Sequence, residues 1–219
     1  MKRRLRVAAY GRRLLVALLA WASCGLVPGA VSTAFGQAER IPLFPAGRPV
    51  VVLPVQSVIP MESGRWPGGN SSLEETLRAF DSELGFAMAE HRGSAAWASP
   101  AAVERRVGRN PTVRVTPRRL AYQGLRAPIK GQIYEPLHSE LRAVAALFDT
   151  RYVVLPLALS APRFSEAGRV RPTLLVALID IRRSHVMWHG EIEGVPAEPE
   201  SAALLALLAQ RVVRILSPQ

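Results

Sequence analysis

Residues 48–58 read RPVVVLPVQSV, and this stretch decides the fold class. Its apolar residues follow one another without polar alternation, as in a strand whose two faces are both buried. Such a strand belongs to a sheet that is covered by helices, so the stretch predicts an α/β protein. Pro54 cannot donate a ladder hydrogen bond, and the strand is expected to end or bulge there.

Hydrophobic periodicity in the chain after this strand predicts four further strands and four helices. The predicted helices cover 72–91, 101–108, 135–150 and 198–216. The predicted strands cover 95–98, 151–161, 169–181 and the residues from 186 onward. Strands and helices alternate in the first half, which implies right-handed parallel crossovers. The last three strands follow one another directly, which predicts an antiparallel meander.

Helix start signals are present for three of these helices. Ser71 or Ser72 would accept a hydrogen bond from the first turn, and the carboxylate of Glu74 or Glu75 would accept one from the backbone N–H of the cap residue. The other two start signals are Ser99 with Pro100, and Pro199 with Ser201.

Together these elements predict an α/β fold with a mixed sheet, parallel in its first half, with a C-terminal antiparallel meander and helices packed on the sheet. A single domain is expected over 48–219, after an extended lead-in at 39–47. Residues 109–134 are rich in proline and glycine, so they predict a long loop or insertion with one helical turn near 118–122.

Residues 1–38 have the pattern of a secretory signal peptide. Six basic residues and no acidic ones precede and flank an apolar run over 14–27, and small residues follow it. The run is shorter than the ~20 residues that a membrane span needs. Cleavage could follow Ala34, Gly36 or Ala38, and Ala38 is the preferred site. The chain is therefore expected to be exported, to the periplasm or the outer membrane of a bacterium.

Cys24 offers a second interpretation of the leader. The sequence WASC at 21–24 has the small-residue and cysteine ending of a bacterial lipoprotein box, although Trp21 departs from the usual leucine. Lipidation of Cys24 would then attach the chain to a membrane, and no other membrane contact is predicted. Because Cys24 is the only cysteine, no intramolecular disulfide can form.

Neither the charge nor the titratable residues indicate a nucleic-acid-binding surface, a metal site, a cofactor site or a catalytic site. Six of the eleven net positive charges belong to the leader, so the remainder carries only +5. His185 and His189 would lie ~13 Å apart on a strand, too far apart to share an ion. No nucleophile motif is present. The weak candidate is the loop at 64–72, where Gly68, Gly69, Asn70 and Ser71 could bind an anion without matching a phosphate-loop motif.

Residues 180–194, DIRRSHVMWHGEIEG, predict a hairpin. Asp180 would end one strand, and Trp188 would be the structural residue of the next. Period-2 alternation places Val186, Trp188, Gly190 and Ile192 toward the core, and Met187, His189, Glu191 and Glu193 on the other side.

The chain resembles the exported α/β domains of TolB (its amino-terminal domain) and CsgG. The resemblance covers 48–216 and is carried by RPVVVLPVQSV, by ALFDTRYVV at 146–154 and by the run from Leu178 to Trp188. Asp149, Thr150 and Arg151 stand where those families have Gly-Ala, and their turn glycine is replaced by Ser184 or His185. The resemblance implies a fold, a compartment and a non-enzymatic role, and it transfers no catalytic residue.

The leading hypothesis is a non-enzymatic envelope protein that acts through protein–protein contacts in envelope assembly, secretion or integrity. Its partners would be envelope proteins, or further copies of the chain in a ring that depends on Cys24. The alternative is a periplasmic ligand-binding module or enzyme that uses the loop at 64–72, with 109–134 as a lid.

Overall fold

The structure is a computed structural model that describes residues 47–61, 66–67, 72–91, 96–125, 131–163 and 168–217. The strands are β1 (Val50–Val52), β2 (Trp97–Ala98), β3 (Gly131–Gln132), β4 (Tyr152–Ser160), β5 (Thr173–Asp180) and β6 (His185–Glu193). The helices are α1 (Leu73–Glu90), α2 (Pro100–Gly108), α3 (Leu137–Leu147) and α4 (Leu204–Leu216). No helix in these ranges is long and apolar enough to cross a membrane.

All six strands belong to one mixed sheet with the order β2-β1-β4-β5-β6-β3. β1 is parallel to both of its neighbours, β2 and β4. From β4 through β5 and β6 to β3, each neighbouring pair is antiparallel. The structure therefore confirms the predicted parallel first half and antiparallel meander, with α1 as the crossover between β1 and β2.

Helices cover both faces of the sheet. In β1, Val50 and Val52 pack into a core with residues of α1 and α4, whereas Val51 packs into a second core with residues of α2 and α3. We call these the α1–α4 face and the α2–α3 face. The run of valines without polar alternation therefore reflects a strand that is buried on both sides, as predicted.

Two helices start at the predicted side-chain caps. Ser72 Oγ accepts a hydrogen bond from the backbone N–H of Glu75 at 3.1 Å, and the Glu75 carboxylate accepts one from Ser72 N at 3.1 Å. Ser99 Oγ accepts a hydrogen bond from the first turn of α2. The predicted start of the last helix was wrong. Residues 198–203 bond as turns, so α4 begins at Leu204 without a side-chain cap.

Part of the predicted loop at 109–134 is more ordered than the sequence indicated. Its 3-10 turn spans Tyr122–Leu125 instead of 118–122, and β3 pairs with β6. Leu120 and Leu125 are buried in the core of the α2–α3 face. Spaced apolar side chains thus anchor the segment to the sheet, and surrounding prolines and glycines mask that pattern in the sequence.

A β-bulge in β6 reverses part of the predicted alternation. Leu178 pairs with Trp188 and Ile179 pairs with Val186, so Met187 is an extra residue on β6. Val186 consequently packs into the α2–α3 face, while Trp188 packs into the α1–α4 face. The prediction that these two side chains share one face was wrong, because one extra residue shifts the period-2 pattern to the other side.

Candidate functional site

The chain beyond β1 and the end of β4 form a groove. Leu159 N donates to Ser57 O at 2.9 Å, and Ile59 N donates to Leu159 O at 2.8 Å, so the two segments run side by side. The groove therefore lies at the carboxyl ends of parallel strands, where open α/β sheets bind their ligands. Its volume is about 370 Å³, and its lining includes Ile59, Pro60, Met61, Ala161, Pro162 and Arg163.

The composition of the groove suits the binding of an apolar side chain better than it suits catalysis. Ile59 is 56% exposed, although it is a large apolar residue. Prolines stiffen both walls, and Arg163 is the charged residue among the described residues of the lining. An apolar cleft with an exposed aliphatic residue and a polar rim has the composition of a protein-contact site.

A buried ion pair holds the elements around this end of the sheet. Asp81 on α1 accepts from Val55 N at 3.0 Å and from Arg118 Nη1 at 2.6 Å. Arg118 Nε also lies 2.7 Å from a carboxylate oxygen of Glu104 on α2. Burial raises the pKa of Asp81 to about 6, although the Val55 amide and Arg118 both act to lower it.

Gln56 fixes the same region through its side-chain amide. Its Nε2 donates to Pro54 O at 2.6 Å and to Pro117 O at 2.9 Å, and its Oε1 accepts from Leu120 N at 3.0 Å. All three contacts are buried, so they are shielded from competition by water. The stretch from Pro117 to Leu120 is thereby fastened to the chain that leaves β1.

The alternative hypothesis needs a binding loop at 64–72 that is closed by 109–134 as a lid. The described parts of these two segments pack on opposite faces of the sheet. Trp66, in the loop at 64–72, is buried in the α1–α4 face, whereas Leu120 and Leu125 of the segment 109–134 are buried in the α2–α3 face. These positions do not favour closure of the segment over the loop. Outside the described residues lie the predicted anion-binding and lipidation positions: Gly68, Gly69, Asn70, Ser71 and Cys24.

Asp180 caps the turn between β5 and β6. Arg151 donates to its carboxylate from Nε at 2.9 Å and also from Nη2, and the backbone N–H of Arg182 donates at 3.1 Å. The Arg151 hydrogen bonds lower the pKa of Asp180, and burial opposes this only in part. Asp180 therefore carries a buried negative charge that is matched by a cation and backbone donors.

Sequence reasoning missed a hydrogen-bonded chain of three side chains. Ser184 Oγ lies 2.8 Å from His138 Nε2, and His138 Nδ1 lies 3.3 Å from Glu135 Oε1. Ser184 and His138 are 46 residues apart, so no motif spacing links them. These residue types also form catalytic triads, but Ser184 N already donates to Ile181 O at 3.3 Å and is not free to stabilise an oxyanion.

The other histidines do not converge. His189 Nε2 lies 2.6 Å from Leu125 O, and His185 is exposed at the start of β6. Within the described ranges, no three His, Cys, Asp or Glu side chains form a group that could hold a metal ion.

Comparison with known proteins finds similar solved structures but no similar sequence family. No protein-family model matches the chain, and no curated protein sequence matches it. The similar solved structures include a PelC dodecamer from Paraburkholderia phytofirmans, with a TM-score of 0.36 and 12% identity over 81% of this chain and 94% of that one. They also include E. coli LpoB, with a TM-score of 0.37 and 14% identity over 69% of this chain and 58% of that one.

A further similar structure is the lipoprotein GNA1162 from Neisseria meningitidis. Its TM-score is 0.33, with 15% identity over 78% of this chain and 95% of that one. All three similarities are distant in both sequence and superposition, so no residue role passes from these proteins to this chain.

Proposed function

We propose that this chain is an exported, non-enzymatic protein of a bacterial envelope, periplasmic or held at the outer membrane, that acts through protein–protein contacts. The leader pattern over 1–38 supports export. Residues 48–219 would be one domain of the TolB and CsgG kind, with 109–134 as an insertion. The contacts would serve envelope assembly, secretion or integrity.

The observation that carries this proposal is the groove beside Ile59. Its walls are held by the Ser57–Leu159 and Ile59–Leu159 backbone hydrogen bonds, so the shape exists before a partner arrives. Preformed apolar clefts keep the entropic cost of binding low. A partner would insert an apolar side chain against Ile59 and present an acidic or amide group to Arg163 at the rim.

Two arrangements of the proposed protein differ at the N-terminus. With cleavage after Ala38, the domain would be free in the periplasm. With Cys24 lipidated, it would be anchored in a membrane and could assemble with further copies of itself.

In-cell photocrosslinking tests the groove directly. A photoreactive phenylalanine analogue replaces Ile59 in the full chain, and the same analogue replaces Leu207 on α4 as the matched control. Leu207 is also a large apolar residue at the surface, 43% exposed, and it does not line the groove.

The proposal expects a discrete crosslinked protein from position 59 and none from position 207. The Ile59→Asp variant should lose the corresponding complex while keeping its far-ultraviolet circular dichroism spectrum, because the residue is more than half exposed. Equal crosslinking at both positions, or none at position 59, would contradict a role for the groove.

A further inference from the structure

A second cavity lies at the other end of β4. It has a volume of about 650 Å³ and opens between α3 and the turn that joins β5 to β6. Its lining includes His138, Arg142, Asp149, Thr150, Arg182 and Ser184. β4 has nine residues, so ~30 Å separates this cavity from the groove at Ile59.

Two arginines in this cavity have no carboxylate partner among the described residues. Two other arginines near this cavity do have a carboxylate partner. Arg151 pairs with Asp180, and Arg183 Nε lies 3.9 Å from an Asp180 carboxylate oxygen. Arg142 on α3 and Arg182 in the turn form no ion pair with any described side chain. The described lining therefore carries two guanidinium groups against the one carboxylate of Asp149, which leaves an excess of positive charge on this concave surface.

We propose that this cavity binds a small oxyanion, a phosphate or carboxylate group, between Arg142 and Arg182. Guanidinium groups match the two oxygens of such anions with paired hydrogen bonds, and Arg142 and Arg182 are both exposed, so their donors are accessible to a dissolved anion. The two arginines come from different elements, α3 and the β5–β6 turn, so the anion would also bridge them.

The hydrogen-bonded chain of Ser184, His138 and Glu135 ties the β5–β6 turn to α3. Glu135 is a carboxylate and can only accept, so Nδ1 of His138 donates to it. In the neutral imidazole Nε2 then accepts the Ser184 hydroxyl, which ties the turn to α3. The arginines supply the charge for binding, and this chain positions them.

Asp149 is the group in the lining that opposes an anion. It has a positive φ of 46°, a conformation that asparagine adopts as readily as aspartate. Asp149→Asn therefore removes a negative charge from the cavity wall without disturbing the backbone. This gives a variant that should bind the anion more tightly than the parent protein.

Isothermal titration calorimetry of the purified full chain with inorganic phosphate and with citrate, at low ionic strength, tests the site. Arg142→Gln and Arg182→Gln should each weaken binding about tenfold, because each removes a charge-assisted contact. Arg183→Gln is the matched control, since it removes the same charge from the same turn without lining the cavity. When the titrations of all variants are repeated in about 0.1 M salt, which screens longer-range attraction, Arg183→Gln should change the affinity less than about twofold. Asp149→Asn should tighten binding.

Several outcomes would overturn the proposal. Failure of the parent protein to bind either anion would do so, as would an equal loss in Arg183→Gln, which would indicate general charge attraction. Weaker binding by Asp149→Asn would also overturn it, because removal of a negative charge from the cavity wall should strengthen the attraction of an anion held there. If the protein binds phosphatidylglycerol vesicles and soluble phosphate does not compete with that binding, the cavity's ligand would be a membrane surface instead of a small anion. Ile59→Asp should leave anion binding unchanged, so this result is independent of the groove.

Discussion

The indole ring of Trp188 lies over Gly190, its second neighbour along β6. A Cβ atom built on Gly190 would come within 2.6 Å of Cζ2 of that ring, closer than real Cβ contacts. Trp188 is 8% exposed and belongs to the core of the α1–α4 face. The glycine therefore provides the space that the indole occupies, and the two positions form one packing unit.

Gly190→Ala is expected to destabilise the fold by about 1–3 kcal/mol, because the new methyl group must displace a large, buried ring. Gly85→Ala is the matched control. Gly85 lies within α1, its added Cβ would meet nothing within 4 Å, and alanine there should stabilise the fold by up to about 1 kcal/mol. Urea unfolding of both variants measures the difference. Destabilisation of the same size in both would contradict the packing argument.

Trp188→Ala should cost ~3–5 kcal/mol of unfolding free energy, since it leaves a large cavity in the core. Phe86 is the control, because it is an aromatic residue on α1 that is 66% exposed. Its replacement by alanine should change stability by less than about 0.5 kcal/mol. A cost below about 1 kcal/mol for Trp188→Ala would mean that the bulge does not direct the indole into the core.

Asp81 should make stability fall as the pH rises. Its pKa is about 6 in the folded chain and 3.8 without burial, so the folded state binds the proton more tightly. The resulting stabilisation is complete below pH 3.8 and is lost as the pH rises through about 6, with an upper limit of about 3 kcal/mol. Urea unfolding at about pH 4.5 and pH 7.5 measures it. Asp81→Asn, which cannot titrate, should lack this dependence, and an unchanged pH profile in that variant would refute it.

Asp180 should have the opposite pH dependence. Because Arg151 lowers its pKa, its contribution to stability is present above pH 3.8 and is lost as the pH falls through the folded value. Asp180→Asn should cost about 1–3 kcal/mol at neutral pH by removing charge-assisted hydrogen bonds. The exposed Glu74–Arg78 pair supplies the control, and Glu74→Gln should change stability by less than about 0.5 kcal/mol. The unfolding free energy of both variants is measured as the pH is lowered. Equal losses in the two variants would contradict the stabilisation that we attribute to the charge of Asp180.

The sheet and the helix order could be predicted because their signals are local. A valine run indicates a strand that is buried on both faces, and a serine with a glutamate three residues later indicates a helix start. The bulge at Met187 has no such signal, because it depends on how β6 aligns with β5. The late start of α4 likewise depends on turns that compete with the helix.

The candidate sites depend on contacts that are distant in sequence. Asp81 follows Phe80 within an amphipathic helix, and only the fold brings it to Val55 and Arg118, which are 26 and 37 residues away. The groove at Ile59 requires β1 and β4 to be neighbours. One sequence taken alone does not reveal the contacts of Asp81 or the pairing of β1 with β4, since periodicity predicts elements but not their partners.

The most direct test of the central claim, that this domain works outside the cytoplasm, is the intact mass of the mature chain from fractionated cells. Export predicts a protein that lacks Met1, in the periplasm or the outer membrane. The first residue should be Glu39 or a nearby position after Ala34 or Gly36, or an acylated Cys24. A full-length chain that retains Met1 and stays in the cytoplasmic fraction would contradict the account.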